Sequence, residues 1–163
     1  SSLPKVYGGF NTSLSWKGFD LSAIFAYSIG GYIYNRDITM ILHNGSLEGR
    51  DWSTEILKRW TPDNRYTDVP ALSTTSNDWN SASTRFLQNN SYMRLKNLTL
   101  SYNLPKQWIS KLSLSSVQVY VQGDNLFTIH RNQGLDPEQG ITGITYYRYP
   151  AMRTISGGIN VSF

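Results

Sequence analysis

Cysteine is absent from the 163 residues, which excludes disulfide frameworks, thiolate metal sites and cysteine nucleophiles together. Histidine occurs twice, at His43 and His130, too few to build a histidine-based zinc site, so neither a metal nor another cofactor is expected. Both histidines fall in non-strand stretches and are expected to be exposed loop residues. Charge is scarce: Asp, Glu, Lys and Arg supply 16% of the chain, against about 25% in ordinary soluble domains. The balance is basic, at +4, yet the 15 Lys and Arg stand singly apart from Lys58-Arg59. A phosphate-tracking surface carries a denser basic stripe, so no nucleic-acid partner is expected. No apolar run approaches the roughly 20 residues of a membrane helix, and Ser1-Ser2-Leu3-Pro4 shows no leader pattern. Neither a phosphate-binding glycine loop nor a G-x-S-x-G elbow occurs, and no enzyme activity or catalytic residue is expected.

What the chain has instead is aromatic and uncharged polar residues. Phe, Trp and Tyr make 13% of it, and Ser, Thr and Asn together exceed a quarter. They are arranged with a period of two. Phe10, Thr12, Leu14 and Trp16 alternate with Asn11, Ser13 and Ser15, and after Lys17-Gly18 the alternation resumes as Phe19, Leu21, Ala23, Phe25, Tyr27 and Ile29. Two residues ending in glycine between alternating runs mark a tight hairpin. Three more runs follow: Leu98 to Leu104, Val117 to Val121, and Ile155 to Phe163, each with an apolar face and a face of small or uncharged polar residues. Strands are expected at about 6–16, 19–30, 92–104, 114–123 and 152–163.

Neither face of these strands is charged over Leu21–Ile29, Asn97–Leu104, Leu112–Gly123 or Thr154–Phe163. A sheet with one wet face ordinarily carries Lys or Glu there, whereas lipid on one side and a neutral polar lumen on the other give this pattern. The connections alternate between short (Lys17-Gly18 and about 105–111) and long (about 31–91 and 124–150), as in outer-membrane barrels. The fold class is therefore all-β, with about five antiparallel membrane-spanning strands. Five do not close a transmembrane barrel, whose smallest common form has about 8, so these strands read as part of a larger one. A soluble carbohydrate-binding β-sandwich with a polar ligand face, and a small barrel assembled from several copies, are the alternatives.

The long 31–91 connection is expected to be partly helical. Arg36–His43 has helical character, and Asp51 is placed to cap a second helix carrying Trp52, Ile56 and Trp60 on one side, ended by Thr61-Pro62. Loops of this length tend to be functional. Trp52, Trp60, Tyr66 and Trp79 offer flat faces for sugar rings or peptide side chains, although Trp52 and Trp60 also read as the packed side of their own helix. Arg131, Tyr146 and Tyr147 are the contact candidates in the 124–150 loop. Asp136 and Glu138, in Gly134-Leu135-Asp136-Pro137-Glu138, read as a turn, with too few oxygen ligands for calcium.

Over essentially its whole length the chain resembles the carboxy-terminal end of SusC/RagA-type TonB-dependent outer-membrane transporters. The residues that carry this are Arg59-Trp60-Thr61-Pro62-Asp63-Asn64, Thr67-Asp68-Val69-Pro70, Asn90 through Tyr102, Val119 through Thr128, Gly134 through Glu138, and Tyr149-Pro150 through Phe163. The resemblance implies a barrel of about 22 strands, of which this is the final part, with a plug domain and TonB-contacting box upstream and absent here. It implies import of glycans or peptides across the outer membrane of a Gram-negative bacterium, energised by TonB. A SusD-like surface lipoprotein is the implied partner, and the 31–91 and 124–150 loops are implied to be extracellular. The last strand also resembles the signal read by the barrel assembly machinery, with Ser156, Gly158, Val161 and Phe163 in its four places.

Overall fold

The computed structural model describes residues 1–45, 47, 49–76, 78–110, 114–132, 134–138, 140 and 142–163, with Asp78 described in its backbone alone. The chain divides into two compact units. Residues 3–31, 90–138 and 149–163 form a unit built on one antiparallel sheet, and residues 1–2, 32–89 and 139–148 form the other.

The sheet contains β1 (Val6–Trp16), β2 (Phe19–Ile29), β5 (Tyr92–Asn103), β6 (Ser116–His130) and β8 (Thr154–Ser162), in the order β1-β2-β5-β6-β8. Lys17 and Gly18 join β1 to β2 with φ of 47° and 88°. Positive φ at both central residues is the primed turn whose twist matches the strands it joins. A four-residue helix, α2 (Lys106–Ile109), follows Pro105 in the short link between β5 and β6.

The pairing places like faces side by side across all five strands. Leu14, Leu21, Leu100, Val121 and Gly157 align in one row, and Phe10, Phe25, Leu95 and Phe127 in another. Beside them, Ser13, Ser22, Thr99, Gln122 and Ser156 form a row on the opposite face. The apolar face is exposed: Leu14 is 65% accessible, Leu100 42% and Ile159 65%. A β-sandwich would bury this face against a second sheet; here no described residue covers the exposed apolar side chains.

β6 runs seven residues past Gly123, where the sequence pattern suggested an end. Asp124-Asn125 interrupts the alternation because the ladder is bulged there: the β5–β6 register shifts between Leu95 and Asn97, and Asn125 has φ 52°. The extra residue changes phase on β5, where the apolar face passes from even-numbered Leu98 to odd-numbered Leu95 across Lys96, while on β6 Phe127 and Ile129 keep the odd-numbered phase of Val117, Val119 and Val121.

The second unit contains β3 (Tyr32–Asn35), which pairs antiparallel with β4 (Leu87–Asn89) and parallel with β7 (Ile144–Thr145). α1 (Arg36–Ile41) starts directly after β3, its first turn capped by Asn35, whose side chain accepts from the Ile38 N–H at 3.1 Å. The helix expected from Asp51 through Trp60 does not form. A 3-10 turn at Thr54–Lys58, capped by Ser53, stands in its place. Side chain–backbone bonds from Asn64 and Thr67 to the Lys58 carbonyl hold the following segment instead, together with a backbone bond from the Trp60 N–H to the Val69 carbonyl. Ile33, Ile56, Val69 and Phe86 are buried in this unit. Among the described residues, no helix is long and apolar enough to cross a membrane.

Candidate functional site

On the sheet's polar face the few carboxylates are hydrogen-bonded to neutral side chains of neighbouring strands. Asp20 accepts from Ser15 on β1 at 2.5 Å and from Asn103 on β5 at 2.7 Å, and Asp124 on β6 accepts from Asn97 at 2.7 Å. Gln118 donates to Ser101 and accepts from Asn160, which continues the polar ladder to β8. Ser156 and Gly158 lie on this face opposite Gln122 and Tyr120, whereas Val161 pairs with Val117 on the apolar side. Gly158 has a steric reason to be glycine: a Cβ there would stand 2.7–2.9 Å from the Tyr120 ring and hydroxyl. Phe163 follows β8 and is exposed.

Arg94 interrupts this neutral face. Its side chain is 3% exposed and gives one N–H to Asp136 at 2.5 Å, another to Glu138 at 2.8 Å, and Nε–H to Thr128 of β6 at 2.9 Å. Lys96, at the β5 bulge, also pairs with Glu138. Asp136 accepts two backbone N–H groups besides, from Glu138 at 2.9 Å and from Ala151 at 2.6 Å. Burial alone would raise the Asp136 carboxyl; the Ala151 and Glu138 N–H donors and the Arg94 guanidinium outweigh it and hold it below the ordinary value. The turn expected at Asp136-Pro137 therefore also serves as a staple. It ties the segment after β6 and the approach to β8 onto β5. The sequence held a signal for it: the only charges between Arg85 and Lys106 are Arg94 and Lys96, and the next loop supplies the two acids.

Of the aromatic candidates in the second unit, Tyr146 and Tyr147 come together, with ring centroids 4.2 Å apart. The Arg36 guanidinium lies 4.9 Å from the Tyr146 ring centre. Tyr147 has φ 47°, uncommon for a bulky side chain, and its N–H donates to Asp37 at 3.0 Å. Trp52 packs edge-on against His43 at 5.0 Å. Neither Trp52 nor Trp60 forms the packed side of a helix, and both are over two-fifths exposed. Trp79 is half exposed and Tyr66 fully so, and among the described residues neither contacts another aromatic ring. Arg131, after the end of β6, is exposed.

His43 corrects the exposed-loop expectation. It is wholly buried, its Nδ1 faces the Gly45 and Leu47 N–H groups at 3.4 and 3.3 Å, and burial lowers its basicity. An imidazole that accepts at Nδ1 carries its proton on Nε2 and is neutral. His130 ends β6, with Nδ1 2.9 Å from the Asn132 carbonyl.

No protein-family model matches the chain. Individual proteins do. TonB-dependent receptor P3 of Formosa agariphila is 34% identical over 98% of the chain, and TonB-dependent receptor SusC of Bacteroides thetaiotaomicron is 28% identical over 97%. These stretches are 16% and 15% of those proteins, so the chain spans about a sixth of the length of the curated relatives it matches. Among solved structures, the RagAB peptide transporter is 36% identical with a TM-score of 0.88, covering all of this chain and 18% of that one. The RagAB peptide importer in its closed-closed state gives 35% identity and a TM-score of 0.86.

Proposed function

We propose that this chain, a segment of the SusC/RagA kind of TonB-dependent receptor by sequence and fold alike, forms part of the wall of an outer-membrane importer. The observation that carries the reading is the sheet with two faces in register across five strands, one apolar and exposed, the other polar and nearly neutral. Lipid satisfies the first face and a water-filled lumen the second. The sandwich alternative leaves the exposed apolar face unexplained.

Within this reading the chain is the carboxy-terminal part of a barrel of about 22 strands, whose plug and TonB-contacting region lie elsewhere in the protein. TonB supplies the energy, and a SusD-like lipoprotein works at the outer surface of a Gram-negative cell. The cargo is a peptide or a glycan, and the loops at 31–91 and 131–150 face the medium. Trp52, Trp60, Tyr66, Trp79, Arg131, Tyr146 and Tyr147 are the residues placed to meet cargo or lipoprotein. Ser156, Gly158, Val161 and Phe163 form the signal for the barrel assembly machinery, and no residue of the chain acts as a catalyst.

Fractionation of source cells and detection with an antibody to this chain test the reading. An outer-membrane band several times heavier than 18.5 kDa is expected, and a soluble band at 18.5 kDa would overturn it.

A further inference from the structure

The second unit, built from the insert after β2 and from 139–148, holds a cleft of about 410 Å³ lined by Tyr34, Arg36, Thr39, Met40, Asn80, Ile144 and Tyr146. Arg36 is its cation, and no acidic residue lines it among the described residues. Nor does Arg36 form an ion pair with any described carboxylate. The nearest acid in sequence, Asp37, is engaged elsewhere, accepting the Tyr147 N–H at 3.0 Å. A second cleft of about 330 Å³ shares Met40 and provides a contrast, because its arginine, Arg50, is accompanied by Asp37 and Asp51. Among the described residues, that cleft sets two carboxylates beside one arginine, whereas the first carries an arginine alone.

The positive cleft is also held in shape. The Arg36 guanidinium is stacked toward Tyr146, an arrangement that leaves its in-plane N–H donors free for a planar anion. Tyr146 is backed by the Tyr147 ring, and Tyr147 is kept in a left-handed backbone conformation by its bond to Asp37. A bulky residue held at positive φ costs of order 1–3 kcal/mol, and such strain collects at binding sites. The neighbouring backbone is anchored from below by Asn35 and Thr145, paired across β3 and β7 and both buried.

We propose that this cleft is a carboxylate-binding site, in which Arg36 pairs with an ionised carboxylate of the ligand and the rings of Tyr34 and Tyr146 cover the apolar surface beside it. The inference rests on the importer reading and narrows it: the cargo carries a carboxylate. That group belongs either to a peptide or to an acidic sugar, and the test separates the two.

The experiment uses the full-length receptor purified in detergent from outer membranes. Binding is measured for two fluorescent pairs: a short peptide with a free carboxyl terminus against its amide, and an oligogalacturonate against its methyl ester. The acid form of at least one pair is expected to bind more tightly than its neutral form. Arg36→Gln is expected to weaken that acid roughly tenfold to a hundredfold, as loss of a charged hydrogen bond does, and to leave the neutral form unchanged. Arg36→Lys, which keeps the charge but not the planar fork, should fall between. Preference in the peptide pair assigns the carboxylate to a peptide, and preference in the sugar pair assigns it to a uronic acid. Equal binding of acid and neutral forms, or equal loss of both in Arg36→Gln, overturns the proposal and leaves the importer reading intact. Absence of binding in all four probes also overturns it. If outer-membrane location fails too, the importer reading falls with it. Retention of the heat-modifiable folded band by each variant shows that binding, not assembly, has changed.

Discussion

A guanidinium with 3% of its side chain exposed costs several kcal/mol in lost hydration unless its donors are met. Asp136, Glu138 and Thr128 meet those of Arg94, and Asp136 in turn takes the Ala151 N–H. The pH dependence follows from the depressed Asp136 carboxyl. A group whose folded pKa lies below its unfolded value stabilises the fold fully above the unfolded value and ceases to as the pH falls through the folded one. The staple is therefore intact at neutral pH and fails only below the ordinary value of 3.8. Hydrogen exchange across 131–153 in the full receptor should rise in that window. Asp136→Asn should show the faster exchange already at neutral pH; an unchanged variant would mean that Asp136 does not hold the loop. This staple was half legible in the sequence. Two cations on a strand free of other charge, and two acids in one loop, were visible, but their meeting depends on a β5–β6 register displaced by a bulge that no periodicity reveals.

Strands were the most legible elements, because alternation over about 11 residues is hard to produce without one buried or lipid-facing side. Helical signals in the insert misled. Trp52, Ile56 and Trp60 have helical spacing, yet Asn64 and Thr67 draw on the Lys58 carbonyl and a 3-10 turn results. Local polar side chains outcompeted a short amphipathic pattern. On the sheet, face identity can be read out directly. Leu100→Arg places a charge in the apolar row between Leu21 and Val121, and at a bilayer midplane this costs about 2–4 kcal/mol. Thr99→Arg, one residue away on the polar face, should assemble as well as the parent. Quantifying the heat-modifiable receptor in outer membranes separates them, and equal assembly would remove the lipid assignment. β8 offers a second comparison. Gly158→Val forces the Tyr120 ring aside, an overpacking change worth about 1–3 kcal/mol. Adding Tyr120→Ser should restore assembly if packing is the reason for glycine. A double variant as defective as the single one would place the role of Gly158 in recognition by the assembly machinery.

Across the whole molecule the two units solve burial in different ways. The second unit has its own buried centre, which includes Ile33, Ile56, Val69 and Phe86 together with the buried polar residues Asn35, His43, Asn44 and Thr145. The sheet unit buries few apolar side chains, chiefly Ala23, Leu95 and Ile109, and exposes a broad apolar face. The sheet should therefore need the barrel and bilayer but not the insert. Its strand pairing closes before the insert begins: Ser28 on β2 pairs with Tyr92 on β5, the Gly30 N–H bonds to the Ser91 hydroxyl at 2.9 Å, and the Asn90 N–H bonds to Gly31 at 3.1 Å. Joining Gly31 directly to Asn90 leaves a short hairpin loop of the kind antiparallel strands accept. The Asp136 bond to Ala151 similarly brackets 139–148. A full-length receptor lacking residues 32–89, with 139–148 replaced by a short Gly-Ser linker, is expected to reach the outer membrane as a heat-modifiable barrel. It should lose binding of the carboxylate probe that the parent holds. Failure to assemble would mean that the insert contributes to barrel formation itself, whereas assembly with full binding would move the cargo contacts from this insert to another part of the receptor.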